Sequence, residues 1–243
     1  MPIRHHLQGR AEVRWGIIGC GDVTEVKSGP GFQKAAGSRL VAVMRRNGAL
    51  AADYARRHQV PKWYDDAGAL IGDPEVDAIY IATPPDSHAS YALQAAAAGK
   101  PAYVEKPMAR HAPECDRMVA AFQQADLPLY VAYYRRRLPR CLAAEELLRS
   151  AIGTLTAIQY RYGAPKHLAG PEWRIDAATA GGGLFLDLGS HELDLIDYLT
   201  GPLQHVSGQA VHLASRHELE DGVQLTFRNP AGVPGVASWN FAS

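Results

Sequence analysis

Asp187 and His191 stand four residues apart in a stretch that reads as a helix, so their side chains share one face. A carboxylate beside an imidazole fixes the ring's tautomer and raises its basicity. Such a histidine can take a hydroxyl proton as hydride leaves carbon, or return it in the reverse direction. Asp194, one turn further on, is the one local third ligand a metal could use, and the set is read without a metal. Lys106 follows an apolar run and immediately precedes Pro107, which biases it away from helical geometry. An ammonium held there can donate to a hydroxyl or carbonyl oxygen. Trp173 and Arg174 precede the run Gly181-Gly182-Gly183 and could hold a hydroxyl or a carboxylate, or simply anchor a loop.

A second group of residues suits phosphates. In Gly19-Cys20-Gly21-Asp22-Val23-Thr24, Gly19 and Gly21 fill the first two places of a GxGxxG turn. Asp22 and Val23 then open a helix whose free N–H groups and positive end face a pyrophosphate. The third place is Thr24 rather than glycine, which loosens the match, since that position governs helix–strand packing. Where an acidic residue would bind the adenine ribose of NAD, Arg45 and Arg46 stand instead. Arginine forks onto phosphate, so NADP is favoured over NAD.

These residues need a scaffold. Apolar runs at residues 13–18, 40–44, 77–82, 101–104 and 129–132 alternate with helical stretches at 22–36, 49–58, 87–98 and 113–125. Strands apolar on both faces demand a parallel sheet covered by helices on both sides. This predicts an α/β chain: an N-terminal Rossmann doubly wound sheet over 1–135, then a C-terminal α+β domain over 136–243. In the second part a helix near 139–150 precedes a strand at 154–162. A helix at about 183–199 is then followed by strands at 206–213, 222–227 and 235–241, an open and mostly antiparallel sheet. Ser243 directly follows a strand-like run, so the chain looks short at its C-terminus, or a partner subunit covers that edge.

Gly19-Cys20-Gly21, Ala82-Thr83-Pro84-Pro85 with His88, Glu105-Lys106-Pro107, and Gly181-Gly182-Gly183 leading to Asp187 and His191 occur in that order. Together they make the chain resemble the glucose–fructose oxidoreductase / inositol dehydrogenase (Gfo/Idh/MocA) family, from Val13 to about Phe241. The resemblance implies hydride transfer between NADP or NAD and a sugar-like or polyol-like alcohol or ketone. It implies His191 as acid/base with Asp187 beside it, and Lys106 as the hydrogen-bonding cation. It puts Thr83 and Pro84 on the ribose–nicotinamide side, with His88 and Glu105 near them; His88 could equally cap its own helix. It puts Tyr133, Tyr134 and Arg135 in the substrate pocket. Family members usually continue for several more strands, which often build a dimer or tetramer, so a homo-oligomer through the C-terminal sheet is expected. Two alternatives come from other classes: an NAD-dependent glycosidase of the same fold, which recycles its cofactor, and a non-catalytic dinucleotide-binding protein. Retention of both Lys106 and His191 counts against the latter.

The bulk numbers agree with a globular enzyme. Of 243 residues, 47 % are hydrophobic, enough for a substantial core. Lys+Arg and Asp+Glu are both 25, so no global basic field exists to attract nucleic acid or anionic lipid. No run reaches the roughly 20 apolar residues of a membrane helix. Residues 1–10 carry charge and histidine without an apolar stretch, and read as a tail rather than a secretory signal. Cys20, Cys115 and Cys141 are odd in number and lack CxxC spacing, which favours a reducing, cytoplasmic compartment.

Overall fold

The computed structural model describes Leu7 and residues 11–164, 172–214 and 218–242. The expected N-terminal tail, apart from Leu7, most of the loop before Trp173, and Ser243 lie outside these residues. The chain divides into two compact units, Met1–Ala132 and Tyr133–Ser243.

Among the described residues the first unit carries six strands: β1 Val13–Ile18, β2 Ser38–Met44, β3 Lys62–Tyr64, β4 Ala78–Ile81, β5 Ala102–Val104 and β6 Leu129–Val131. All pair in parallel, in the order β3-β2-β1-β4-β5-β6. The order reverses between β1 and β4, and such a switch point opens a crevice at the C-terminal ends of the strands. Neighbouring residues of one strand feed opposite cores, as the period of two requires. Ile18, Ile79 and Ile81 pack with Leu70, Met118 and Phe122 on one face, while Ile17, Val43 and Tyr80 pack with Tyr54 on the other.

Six helices cover this sheet: α1 Asp22–Val26, α2 Ser28–Lys34, α3 Gly48–Arg57, α4 Ala67–Gly72, α5 Pro85–Ala97 and α6 Ala112–Gln124. The single helix expected over 22–36 is broken at Lys27 (φ −108°, ψ −80°). Pro30 explains the break: it lacks an N–H and is tolerated only in a first turn, so the chain restarts there. Gly29 is a second constraint, because a Cβ on it would lie 2.2 Å from the Thr24 carbonyl oxygen. Strand β3 and helix α4 escape the periodicity reading; three residues, Lys-Trp-Tyr, carry no hydrophobic period.

The second unit has strands β7 Ile158–Gly163, β8 Gln204–Val211, β9 Gly222–Arg228 and β10 Pro234–Asn240, in the order β7-β10-β9-β8. Only β10–β7 is parallel; the other two pairings are antiparallel. Strand β7 begins at Ile158, later than the expected 154, where its register with Gly235 starts. Helices α7 Pro139–Ser150, α8 Ala177–Ala180 and α9 Ser190–Thr200 complete the unit. One sheet face carries Trp239, Phe227, Val223 and Ala237, packed with Leu184, Phe185, Leu188 and Ile196. On the opposite face Gln209, Gln224, Ser238 and Arg161 stand side by side across the four strands.

The helix expected at 183–199 is not uniform. Phe185–Gly189 form a π-helical turn that runs directly into α9, with the Ser190 N–H donating to the Phe185 carbonyl. The ring of Phe185 leans on Gly189, where a Cβ would lie 2.5 Å from it, and meets the Trp239 ring edge-on at 4.9 Å. Such turns are rare and concentrate at functional sites. No described helix is long and apolar enough to cross a membrane.

Candidate active site

The glycine turn closes the C-terminal end of β1. Gly19 has φ +91°, and a Cβ there would lie 2.9 Å from the backbone of Ala82 and Thr83, so only glycine serves. The N–H groups of Gly19 and Cys20 both donate to the Met44 carbonyl, at 2.9 and 3.1 Å, which ties the turn to the end of β2. Gly21 differs: a Cβ on it would find no atom nearer than 4.0 Å and would fill open space before the first turn of α1, where Asp22 and Val23 stand. A phosphate backbone fits such a cradle.

Thr24, at the place of the third glycine, is fully buried. Its hydroxyl accepts from the Gly21 N–H at 3.0 Å and donates to the Gly21 carbonyl at 2.8 Å. Its own carbonyl accepts from the Tyr54 hydroxyl at 2.9 Å. A threonine that satisfies its hydroxyl locally thus does the packing expected of a glycine. Cys20, inside the motif, is buried, and burial pushes its thiol up to about 11, so it is no nucleophile at neutral pH.

Arg45 and Arg46 leave the end of β2 exposed to solvent, just before Asn47 caps α3 by accepting from the Leu50 N–H at 3.2 Å. Nearby Arg57 is committed elsewhere: it donates to Glu25 at 2.5 and 2.8 Å and to Asp53 at 2.6 Å. Arg57, against the opposing effect of burial, holds the Glu25 carboxyl down to about 2.

The loops after β4 and β5 carry the next group. His88 lies in the first turns of α5 and is 1 % exposed. Its Nε2 is 2.7 Å from the Thr83 carbonyl oxygen and its Nδ1 is 3.0 Å from that of Pro107. The ring therefore sits between the two loops, and while neutral it donates to one of the two carbonyls; the capping alternative is set aside because Pro84 holds that position. Burial holds the imidazole below its usual value, against the pull of the carbonyls and Glu105. Ser87 donates to the Thr83 hydroxyl at 2.8 Å.

Glu105 accepts from the Tyr80 hydroxyl at 2.5 Å and from the Lys106 N–H at 3.1 Å. Tyr80 is wholly buried, and burial with the Glu105 carboxylate raises its hydroxyl far above the ordinary tyrosine range. Lys106 thus follows an acidic residue clamped from the core, and its bond to Pro107 is cis. Tyr80 and Ser87 escaped the sequence reading, because nothing local marks a strand tyrosine as the partner of Glu105.

In the second unit His191 is buried on α9, with the rings of Tyr133 and Tyr134 edge-on at 5.9 and 5.5 Å. Tyr134 and Arg135 belong to a short 3₁₀ turn, Tyr134–Arg137. Arg135 donates to Glu192, and Arg136 grips Asp194 with two donors. Asp194 is thereby occupied, and among the described residues no group of three His, Cys, Asp or Glu could hold a metal. Asp187 sits in the π-helical turn with its carboxylate 3.7 Å from Arg174, whose guanidinium lies 4.5 Å over the Trp173 ring. Glu220, also missed in sequence, accepts from the Gly183 N–H at 2.7 Å and so fixes the glycine run that launches this turn.

Residues 13–133 match the oxidoreductase family with an NAD-binding Rossmann fold, and residues 142–243 match the GFO/IDH/MocA C-terminal domain. Oxidoreductase P35 of Formosa agariphila is 40% identical over 238 residues, which covers 95% of this chain and 73% of that protein. Trans-1,2-dihydrobenzene-1,2-diol dehydrogenase of Sus scrofa is 33% identical over 95% of this chain and 69% of its own length. The structure of levoglucosan dehydrogenase in complex with NADH and levoglucosan superposes with a TM-score of 0.84 at 27% identity, over 96% of this chain and 68% of that one. The paired matches to both halves, the identity to Oxidoreductase P35 and the parallel sheet with its glycine cradle lead to one conclusion: the chain belongs to the GFO/IDH/MocA oxidoreductase family.

Proposed function

We propose that the protein transfers a hydride between NADP and a secondary alcohol or ketone on a sugar-like or polyol substrate. One observation carries the reading: the open cradle at Gly21 follows β1, beside the switch point, and the Lys106 loop follows β5, one strand beyond β4, so both lie at the C-terminal edge of one parallel sheet. When bound, the nicotinamide accepts the hydride in oxidation and returns it in reduction. Gly19, Gly21, Asp22 and Val23 seat the pyrophosphate. Arg45 and Arg46 take the 2′-phosphate, which favours NADP over NAD. Thr83, Pro84 and Glu105 line the ribose–nicotinamide side, and His88 sits between their two loops.

At the reacting carbon, Lys106 donates to the substrate oxygen and stabilises negative charge as it develops. In oxidation His191 takes the hydroxyl proton while the C–H pair departs as hydride and C=O forms; in reduction it gives the proton back. Asp187 orients the imidazole, while Tyr134, Arg135, Trp173 and Arg174 contact substrate hydroxyls. The names of relatives support the substrate class: a dihydrodiol dehydrogenase, a 1,5-anhydro-D-fructose reductase and levoglucosan dehydrogenase all act on hydroxylated rings.

The reading extends to assembly and location. The sheet face bearing Gln209, Gln224, Ser238 and Arg161 is the surface through which copies of the chain would pair. Three thiols without disulfides fit a cytoplasmic setting. Titrating the purified protein with NADPH and with NADH, followed by nicotinamide fluorescence, and then screening sugars and polyols by absorbance tests the proposal. Failure of both cofactors to bind would overturn it.

A further inference from the structure

The loop that carries Lys106 is anchored from inside the sheet. Strands β4 and β5 pair Tyr80 with Tyr103, so these two side chains share one face. The Glu105 N–H donates to the Ile81 carbonyl at 2.9 Å, so the pairing runs on past Val104. Glu105, two residues beyond Tyr103, is therefore the next side chain on the face of Tyr80. The Tyr80 hydroxyl donates to Glu105 Oε1 at 2.5 Å, and Glu105 Oε2 accepts from the Lys106 N–H at 3.1 Å. Among the described residues no third donor reaches this carboxylate.

The two donors differ in how firmly they are held. Tyr80 is wholly buried, with the rings of Phe32 and Tyr103 at 4.9 and 5.3 Å, so its hydroxyl has one place to be. Burial and the Glu105 carboxylate keep that hydroxyl protonated, so it stays a donor. Lys106 is half-buried on a loop, and a loop backbone stands where its bonds put it. The lysine stem cannot make up for a misplaced backbone, because it is long and flexible and its ammonium is a point charge. A carboxylate that takes a charge-assisted bond from a fixed phenol and a second from the loop amide carries the order of the core into the loop.

We infer that Tyr80 is a positioning residue for hydride transfer: its hydroxyl, acting through Glu105, sets where Lys106 meets the substrate oxygen, which rests on the role proposed above for Lys106. Tyr80→Phe removes the hydroxyl and keeps the ring. With the tighter-binding of NADPH and NADH and the best sugar or polyol from the screen, kcat should fall at least about tenfold, since a displacement of about 1 Å can cost a hundredfold. KM for that substrate and the cofactor dissociation constant should stay within about threefold, the pattern of an interaction felt in the transition state. Tyr103→Phe deletes a hydroxyl from the same aromatic group without touching Glu105, and should keep kcat within about twofold. In a Glu105→Ala background Tyr80→Phe should cost less than about a further twofold, because its route to Lys106 is already cut. Unchanged kcat in Tyr80→Phe, an equal loss in Tyr103→Phe, or a full second loss in the Glu105→Ala background would each overturn the inference. If Tyr80→Phe does not fold, Glu105→Ala decides: a loss in kcat of at least about tenfold supports the inference and an unchanged kcat overturns it. Lys106→Ala separates the inference from the reading beneath it. Full turnover in Lys106→Ala would overturn both, whereas a loss there beside an unaffected Tyr80→Phe would remove Tyr80 alone and leave hydride transfer standing.

Discussion

Glu220 Oε1 accepts a hydrogen bond from the Gly183 N–H at 2.7 Å, across 37 residues of chain. A Cβ on Gly183 would lie 2.9 Å from the Glu220 backbone oxygen, so glycine is required for the approach. Gly183 in turn accepts from the Asp187 N–H at 3.3 Å, which carries the constraint into the π-helical turn before His191. Leaving a half-buried amide without its acceptor costs about 1–3 kcal/mol. Glu220→Ala is therefore expected to lower the unfolding midpoint and kcat together, whereas Glu220→Gln, which keeps an acceptor oxygen, recovers most of both. Thermal unfolding and steady-state kinetics on the two variants check this; equal losses in Ala and Gln would point to charge instead of the hydrogen bond.

Lys106→Ala is expected to cut turnover by at least roughly a hundredfold, in the range general for a lost proton-transfer or charge-stabilising group. Cofactor affinity should hardly change, since the cradle at Gly19–Gly21 lies on another strand end. Fluorescence titration separates the two effects, and unchanged turnover would take Lys106 out of the mechanism.

His191→Ala should flatten the pH–rate profile, because the group that moves the hydroxyl proton is gone. A profile with its limbs intact would assign the proton to another residue.

Replacing Arg45 and Arg46 by alanine should weaken NADPH more than NADH, since only NADPH carries the phosphate they would fork onto. Arg57, engaged by Glu25 and Asp53, does not compensate. Equal weakening of both cofactors defeats the phosphate assignment.

His88 makes folding sensitive to acid. Its folded imidazole is held below the ordinary value of 6.5 by burial, so the unfolded chain takes up a proton that the folded chain declines. The stability associated with His88 is complete above about pH 6.5 and is lost as pH falls from there toward the depressed folded value. Urea midpoints at pH 8 and pH 5 should differ by less in His88→Gln than in the wild type. Parallel pH dependence in the two proteins would show that other groups carry the acid sensitivity.

Much of the first unit was legible. Runs such as Leu40-Val41-Ala42-Val43-Met44 are apolar on both faces, and that pattern alone calls for a parallel sheet between helix layers. Gly19 was legible for a related reason: a turn that tight admits few residues. Less was legible where local signals conflict or vanish. Pro30 split a helix that periodicity had drawn as continuous, and Lys62–Tyr64 became an edge strand because β2 offered it a partner, not because its residues alternate.

The sequence by itself determined the α/β class and the succession of the long apolar strands and helices, and it named candidates for the chemistry, because hydrophobic period, glycine and proline act over a few residues. Tertiary structure alone decided their partners. Tyr80 clamping Glu105, His88 set between the carbonyls of Thr83 and Pro107, and Glu220 holding Gly183 join residues from separate elements. Such contacts arise from how layers stack and strands register, and they leave no period in the chain for a reader of the sequence to find.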